Sequence, residues 1–340
     1  MRFMKHCRTA SVLFLFFTCI YVPFAAAGTG TSALPFLKMD AGARAAALGG
    51  AYAAPGEDAY GVFYNVAGTA FAASKEIVLS HNVWLEETSQ ENIAYLHPCG
   101  RDITLFGGVN MLRSGSMKAY DNEMNRTGSF SDTESAWSVG FSKLLFGNLS
   151  AGAALKYYSQ YADGENASSF GADLGLLFKS GPWNTGLSFS NLGGKIKYYT
   201  ESYDLPVIAR AGLSRYLLDG RLMLTAEYIN INDSGSDIAG GAEYSLPLTE
   251  KDRLSVRAGY RSGRESDSGS GISVGAGFSG GGITFDYAFV PYGELGNSHR
   301  VSLGYAFGSG REINKYDKRY GKISEELMKK RKESIKSEYW

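Results

Sequence analysis

The chain has 340 residues, 34 basic and 34 acidic side chains, and 43 glycines beside 22 tyrosines and 19 phenylalanines. Eight prolines without a Gly-X-Y period exclude collagen, zero net charge with many aromatics argues against disorder, and three cysteines exclude a disulfide scaffold. Cys99, His81, His97 and His299 form no metal-ligand spacing, so no metal or cofactor is expected, nor a nucleic-acid partner.

Residues 1–27 read as a cleaved secretory signal. Arg2, Lys5 and Arg8 form its charged start, Val12 to Val22 a short apolar core, and Ala25-Ala26-Ala27 a small-residue cleavage site before Gly28. The apolar run is short for a membrane-spanning helix, and no later stretch suits one. An exported chain of this kind is either a soluble all-β protein or a barrel in the outer membrane, where lipid is its first partner.

The segment 34–73 is rich in Ala and Gly, with a helical rhythm over Ala43–Leu48. It is too apolar for a free tail, which suggests a segment folded into the mouth or lumen of a barrel. Gly42, Gly49, Gly50 and Gly68 would permit tight turns and close wall contact, while Asp58 and Asn65 suit caps and turns. Arg44, with Lys38 the only cation of the segment, should meet an inward acid such as Glu243 or Asp286.

From Glu76 onward the period is two. Ile103, Leu105, Val109 and Met111 alternate with small or polar residues; so do Phe170 to Phe178, Leu222 to Tyr228, Ile283 to Phe289 and Val301 to Phe307. Fourteen strands are expected, starting near residues 76, 91, 102, 134, 148, 168, 183, 206, 221, 237, 253, 271, 282 and 298. Short turns, such as Phe146-Gly147-Asn148 and Leu218-Asp219-Gly220, alternate with longer polar loops such as 113–132 and 193–204. Outer-membrane barrels show this asymmetry, with short periplasmic turns and long external loops. The expected fold is therefore all-β: a 14-stranded antiparallel transmembrane β-barrel (76–308), an N-terminal hatch (28–75) in its lumen, and a basic tail (309–340). In such a barrel Leu174, Leu224, Val256 and Phe285 face lipid. Lys156, Asp173, Arg210, Glu227, Glu243, Arg257 and Asp286 point into the lumen, as a polar path or as a structural ladder of pairs. The tail carries a net charge of +4 and a thin apolar stripe of Ile323, Leu327 and Ile335, as in a helix; with an even strand count, both termini would be periplasmic.

A family resemblance rests on Thr31-Ser32-Ala33, Gly42-Ala43-Arg44, Leu48-Gly49-Gly50-Ala51, Asp58 and Asn65-Val66-Ala67-Gly68. Farther along it includes Gly186 to Gly193, Gly241-Ala242-Glu243-Tyr244, Arg257-Ala258-Gly259-Tyr260, Phe285 to Phe289 and His299 to Leu303. In this order the motifs resemble the PorV/PorQ family of outer-membrane proteins, relatives of the FadL-type long-chain fatty-acid transporters, over about residues 28–308. The resemblance implies a 14-stranded barrel with an N-terminal hatch and hatch-gated uptake of hydrophobic small molecules. PorV-like members accompany type IX secretion cargo, so a docking role beside secretion-system proteins is the alternative, and a purely structural barrel a third. Val66 stands where relatives usually have proline. Ser302 to Phe307 resembles the terminal-strand signal read by the barrel-insertion machinery. An enzyme is the weakest expectation, because no nucleophile elbow accompanies His81, His97 or His299.

Overall fold

A computed structural model describes residues 30–263 and 269–308. The signal, the tail and part of the loop after Arg261 lie outside the described residues.

The strands appear in chain order as β1 (Lys75–Val83), β2 (Ser89–Cys99), β3 (Ile103–Arg113), β4 (Met117–Tyr120), β5 (Arg126–Phe130), β6 (Asp132–Leu144), β7 (Leu149–Ala162), β8 (Glu165–Ser180) and β9 (Trp183–Gly193). There follow β10 (Lys195–Tyr198), β11 (Glu201–Asp204), β12 (Ile208–Leu217), β13 (Leu222–Ile231), β14 (Gly235–Pro247), β15 (Arg253–Arg261), β16 (Ile272–Gly280), β17 (Ile283–Pro291) and β18 (Asn297–Phe307). Fourteen of them close into an antiparallel barrel, and β4–β5 and β10–β11 form separate two-stranded hairpins within the long loops. The seam joins β1 to β18, from Lys75 opposite Phe307 to Val83 opposite His299.

Alternation decides which face meets lipid. Leu174, Leu224, Val256 and Phe285 are 49%, 42%, 53% and 46% exposed, whereas Asp173, Glu227, Arg257 and Asp286 are 2–7% exposed. Charge on the outer face of a membrane barrel is costly and hydrocarbon is favoured there, so the exposed stripe is the lipid face. Aromatics ring both ends of it: Tyr95, Trp183, Tyr244 and Tyr305 near the short turns, Tyr157, Tyr228, Tyr260 and Tyr287 toward the long loops. Such girdles mark the two membrane–water interfaces.

Residues 30–74 cross the barrel once, from the long-loop end to the short-turn end. The Gly30 amide donates to the Asp233 carbonyl and the Ala33 amide to that of Asp204, both among the long loops, while Lys75 opens β1 among the short turns. The first and last described residues therefore lie at opposite ends of the barrel. Both chain ends on one side, as the even strand count suggests, is not what these residues show. The reason is the single passage of the hatch through the lumen, which adds one crossing to the fourteen.

Candidate functional site

Close approach comes first. Wall glycines lie where the hatch passes: a Cβ on Gly241 would sit 2.8 Å from the Leu48 Cα, and one on Gly152 would sit 2.8 Å from the Val66 carbonyl carbon. Within the hatch, Gly49 has φ +70°, and a Cβ there would lie 2.8 Å from the Tyr260 carbonyl carbon. Only residues without a side chain let two backbones meet this closely. The outcome is a packed interior in which Ala43, Ala47, Leu48, Tyr52, Val62 and Ala67 are buried.

Within this packing the charges pair. The helix Ala43–Ala47, which starts after Gly42, carries Arg44 toward the wall. Arg44 grips Glu243 with two hydrogen bonds, Nε to Oε2 at 2.8 Å and Nη2 to Oε1 at 2.9 Å. Its Nη1 reaches Asp58 and the Tyr52 hydroxyl, both at 3.1 Å, and the Tyr52 hydroxyl in turn donates to Asp58. On the wall, Arg257 bridges Glu243 (2.6 Å) and Asp286 (2.7 Å), so Asp286 meets Arg257 rather than Arg44. Charge-assisted, bidentate pairs of this kind fix geometry as well as energy. A cavity of about 250 Å³ at the short-turn end is lined by Arg44, Asp58, Glu243, Arg257 and Asp286 together with Glu76, which accepts from the Ala59 amide.

A second cluster uses Arg210 and Glu227, paired at 2.8 Å; Glu227 also accepts from the Ala53 amide, and Arg210 donates to the Gly50 carbonyl. Lys156 and Asp173 pair at 2.6 Å in a different role. Together with Asn191 they brace an irregularity in the β8–β9 pairing, where Asn191 has φ +61° and its amide donates to Asp173.

Asn65 follows the short helix Gly61–Tyr64 and ties the hatch to itself and to β8. Its Nδ2 donates to the Ala53 and Leu176 carbonyls, and its Oδ1 accepts from the Ala67 amide. That side-chain bond holds the turn at Val66. Gly68 cannot carry a side chain, because a Cβ there would run into the Gly56 carbonyl oxygen.

Other ties were not singled out in the sequence. Lys38 and Ser32 both bind Asp233, Lys179 and Asn184 bind Glu57, and the Thr69 hydroxyl meets that of Ser142 at 2.7 Å. At the long-loop end of β1–β3 a ladder of amides runs through Asn82, Gln90, Asn110 and Asn92. Their inward register in strands already recognised was the available signal. At Asp233, burial works to raise the pKa, but hydrogen bonds from Lys38, Ser32 and Ser234 outweigh it and hold the carboxyl below its usual value.

The histidines sit on the outer surface with local partners: His81 beside Glu91, His97 beside the Tyr95 hydroxyl, and His299 2.8 Å from the Tyr287 hydroxyl.

No protein-family model matches the sequence, and no curated protein matches it significantly. Among solved structures, the toluene transporter TodX of Pseudomonas putida aligns with 83% of this chain and 97% of its own, at 11% identity and a TM-score of 0.51. The toluene transporter TbuX of Ralstonia pickettii aligns over 79% and 98%, at 12% identity and a TM-score of 0.52. A FadL homologue from Pseudomonas aeruginosa aligns over 77% and 97%, at 13% identity and a TM-score of 0.51. At such identities it is the fold alone that is shared.

Proposed function

We propose that the chain is an outer-membrane channel for hydrophobic small molecules whose passage is controlled by movement of residues 34–70. The observation that carries this reading is the lumen itself, which is filled by an internal segment and flanked by a cavity at each end. One is lined by Ala33, Leu34 and Pro35 of that segment, the other by Arg44, Asp58 and Tyr60. A rigid wall has no need of such a segment, and a filled pore suits solutes that must be admitted without leaking ions. The likeness in fold to proteins titled toluene transporters supports the ligand class. In this reading the long loops face outward, Gly30 lies at the external mouth, and Gly42, Arg44, Gly49, Gly50, Asp58, Asn65 and Gly68 form the hatch. The ordered motifs from Thr31 to Leu303 support the narrower PorV/PorQ placement, and the pattern at the end of β18 supports recognition by the insertion machinery.

The test is a reversible lock. Cysteines replacing Thr69 and Ser142, whose hydroxyls are 2.7 Å apart, should form a disulfide that abolishes toluene entry into proteoliposomes, and reductant should restore it. Entry through the oxidised protein at the unlocked rate would overturn the moving hatch. In planar bilayers, deletion of residues 34–70 should convert a closed barrel into one with a large, steady current; an unchanged current in a barrel that still inserts would exclude the plug.

A further inference from the structure

At the long-loop end of the barrel two acids form no ion pair among the described residues. Asp132 and Glu134 lie two residues apart on β6, and Glu134 is 5% exposed. The Gln160 side-chain amide divides its two hydrogens between them, to Asp132 Oδ2 at 2.9 Å and Glu134 Oε1 at 3.1 Å. Gln160 itself is held by the Tyr198 hydroxyl. The remaining oxygens, Asp132 Oδ1 and Glu134 Oε2, are buried without a hydrogen-bond partner, and among the described residues neither acid has an ion pair. Elsewhere in the lumen the inward acids Asp173, Glu227, Glu243 and Asp286 each have a basic partner, and Glu76 accepts from the Ala59 amide.

Glu134 and Gln160 line a cavity of about 380 Å³. Its other walls set Leu34 and Pro35 from the hatch, Ala167 from β8, and Tyr198 and Tyr199 from the β10–β11 hairpin beside the polar Glu165, Asn166 and Lys197 at the rim. An apolar chamber of this size with a few convergent polar groups has the form of a small-molecule site. A buried carboxylate oxygen lacking a donor is costly, and a ligand that supplies the donor removes that cost.

We propose that this chamber binds a small apolar molecule carrying an ammonium group, with the nitrogen donating to Glu134 and the hydrocarbon against Leu34, Pro35 and Tyr198. The inference rests on the uptake reading and narrows its ligand class: a carboxylate-bearing molecule would meet like charge where an amine meets its acceptor.

Three water-soluble probes of one shape test it: phenethylamine, phenethyl alcohol and phenylacetate, titrated calorimetrically against the full chain in nanodiscs. Phenethylamine should bind about tenfold or more tighter than phenylacetate, the ratio a charge-assisted hydrogen bond provides. Glu134→Gln should weaken the amine about tenfold and leave the alcohol unchanged, and Ala167→Phe should abolish binding of all three. Phenylacetate binding as tightly as the amine would overturn the proposal, and this comparison needs no variant to fold. Amine affinity unaffected by Glu134→Gln, in protein that keeps its heat-modifiable mobility, would overturn it as well. Equilibrium binding is read without transport. Amine binding with no toluene flux therefore defeats the uptake reading alone, and flux without amine selectivity defeats the site alone.

Discussion

Two stretches of the lumen wall hold the same hatch by different chemistry. At the long-loop end of β1, β2 and β3 the inner face is an uncharged chain, beside which β18 brings the buried Arg300. Ser298 donates to Asn82, Asn82 to Gln90, Gln90 and Asn92 to Asn110, and Ser80 to Asn92. It touches the hatch through the Gly42 amide on Asn92 and the Ala43 amide on Ser302, and Arg300 adds a charged donor to the Asp40 carbonyl. From β12 to β17 the wall is ionic, and its acids are shared: Glu243 between Arg257 and Arg44, Glu227 between Arg210 and the Ala53 amide. The amide wall satisfies itself. The ionic wall is completed by the hatch, so moving the hatch breaks a charge network there, whereas on the other side it breaks single bonds to Asn92, Ser302 and Arg300.

The largest test of that difference is Arg257→Ala. It leaves Glu243 and Asp286 buried with one basic partner removed, and should cost about 3–5 kcal/mol in urea unfolding from vesicles. A loss no greater than that of an amide-wall variant would erase the distinction.

The outer faces, by contrast, should behave alike. Leu224→Arg on β13 and Leu79→Arg on β1 are both lipid-facing changes, and each should cost roughly 2–4 kcal/mol if near the midplane. A lipid-phase probe should label cysteine at 224 and not at 227; the reverse would invert the assignment of faces.

On the amide wall, Asn92→Ala leaves Ser80, Asn110 and the Gly42 amide short of a partner, at about 1–3 kcal/mol by the same unfolding measurement.

The smallest effect is a pH dependence confined to the ion-paired side. Asp233, which holds Ser32 and Lys38, has its pKa depressed in the folded protein. Its tie is fully present above the ordinary carboxyl value of about 4 and is lost as pH falls through the lower folded value. A spin label at Gly30 should gain mobility as pH drops from about 6 to about 3, and Lys38→Ala should remove the transition. The amide ladder has no titrating group, so a label at Ser89 beside it should show no such step.

Much of the wall was legible before any coordinates. Expected strand starts near 76, 183, 253 and 298 lie within a residue of β1, β9, β15 and β18, because lipid outside and polar contacts inside impose a period of two on every spanning strand. The hairpins β4–β5 and β10–β11 escaped because their strands are only 4–5 residues long and sit in polar loops; one residue of theirs, Ile196, is fully buried. The inward charges were readable from alternation, but not their partners: Arg44 and Glu243 are 199 residues apart, and only the barrel's register brings them together. The amides at Asn82, Gln90, Asn92 and Asn110 passed as ordinary polar spacers, since an uncharged side chain in a strand does not announce that it is buried. Nor does local sequence state through which end of a ring the chain enters.

That entry bears on how the protein is made. A polypeptide lying along the axis of a closed ring is mechanically interlocked: either the ring shuts around it, or its free end is threaded through afterwards. The β1–β18 seam is the clasp, nine residue pairs long, and it joins the first strand after the hatch to the last strand of the barrel. During biogenesis, then, the final zippering of that seam either traps residues 30–74 already in place or leaves them to snake past the inward wall side chains of Arg210, Glu243 and Arg257 without room to turn. A bulky reporter fused ahead of Gly30 discriminates the two histories, because it can be enclosed by a ring that closes last but cannot be pulled through one that closed first.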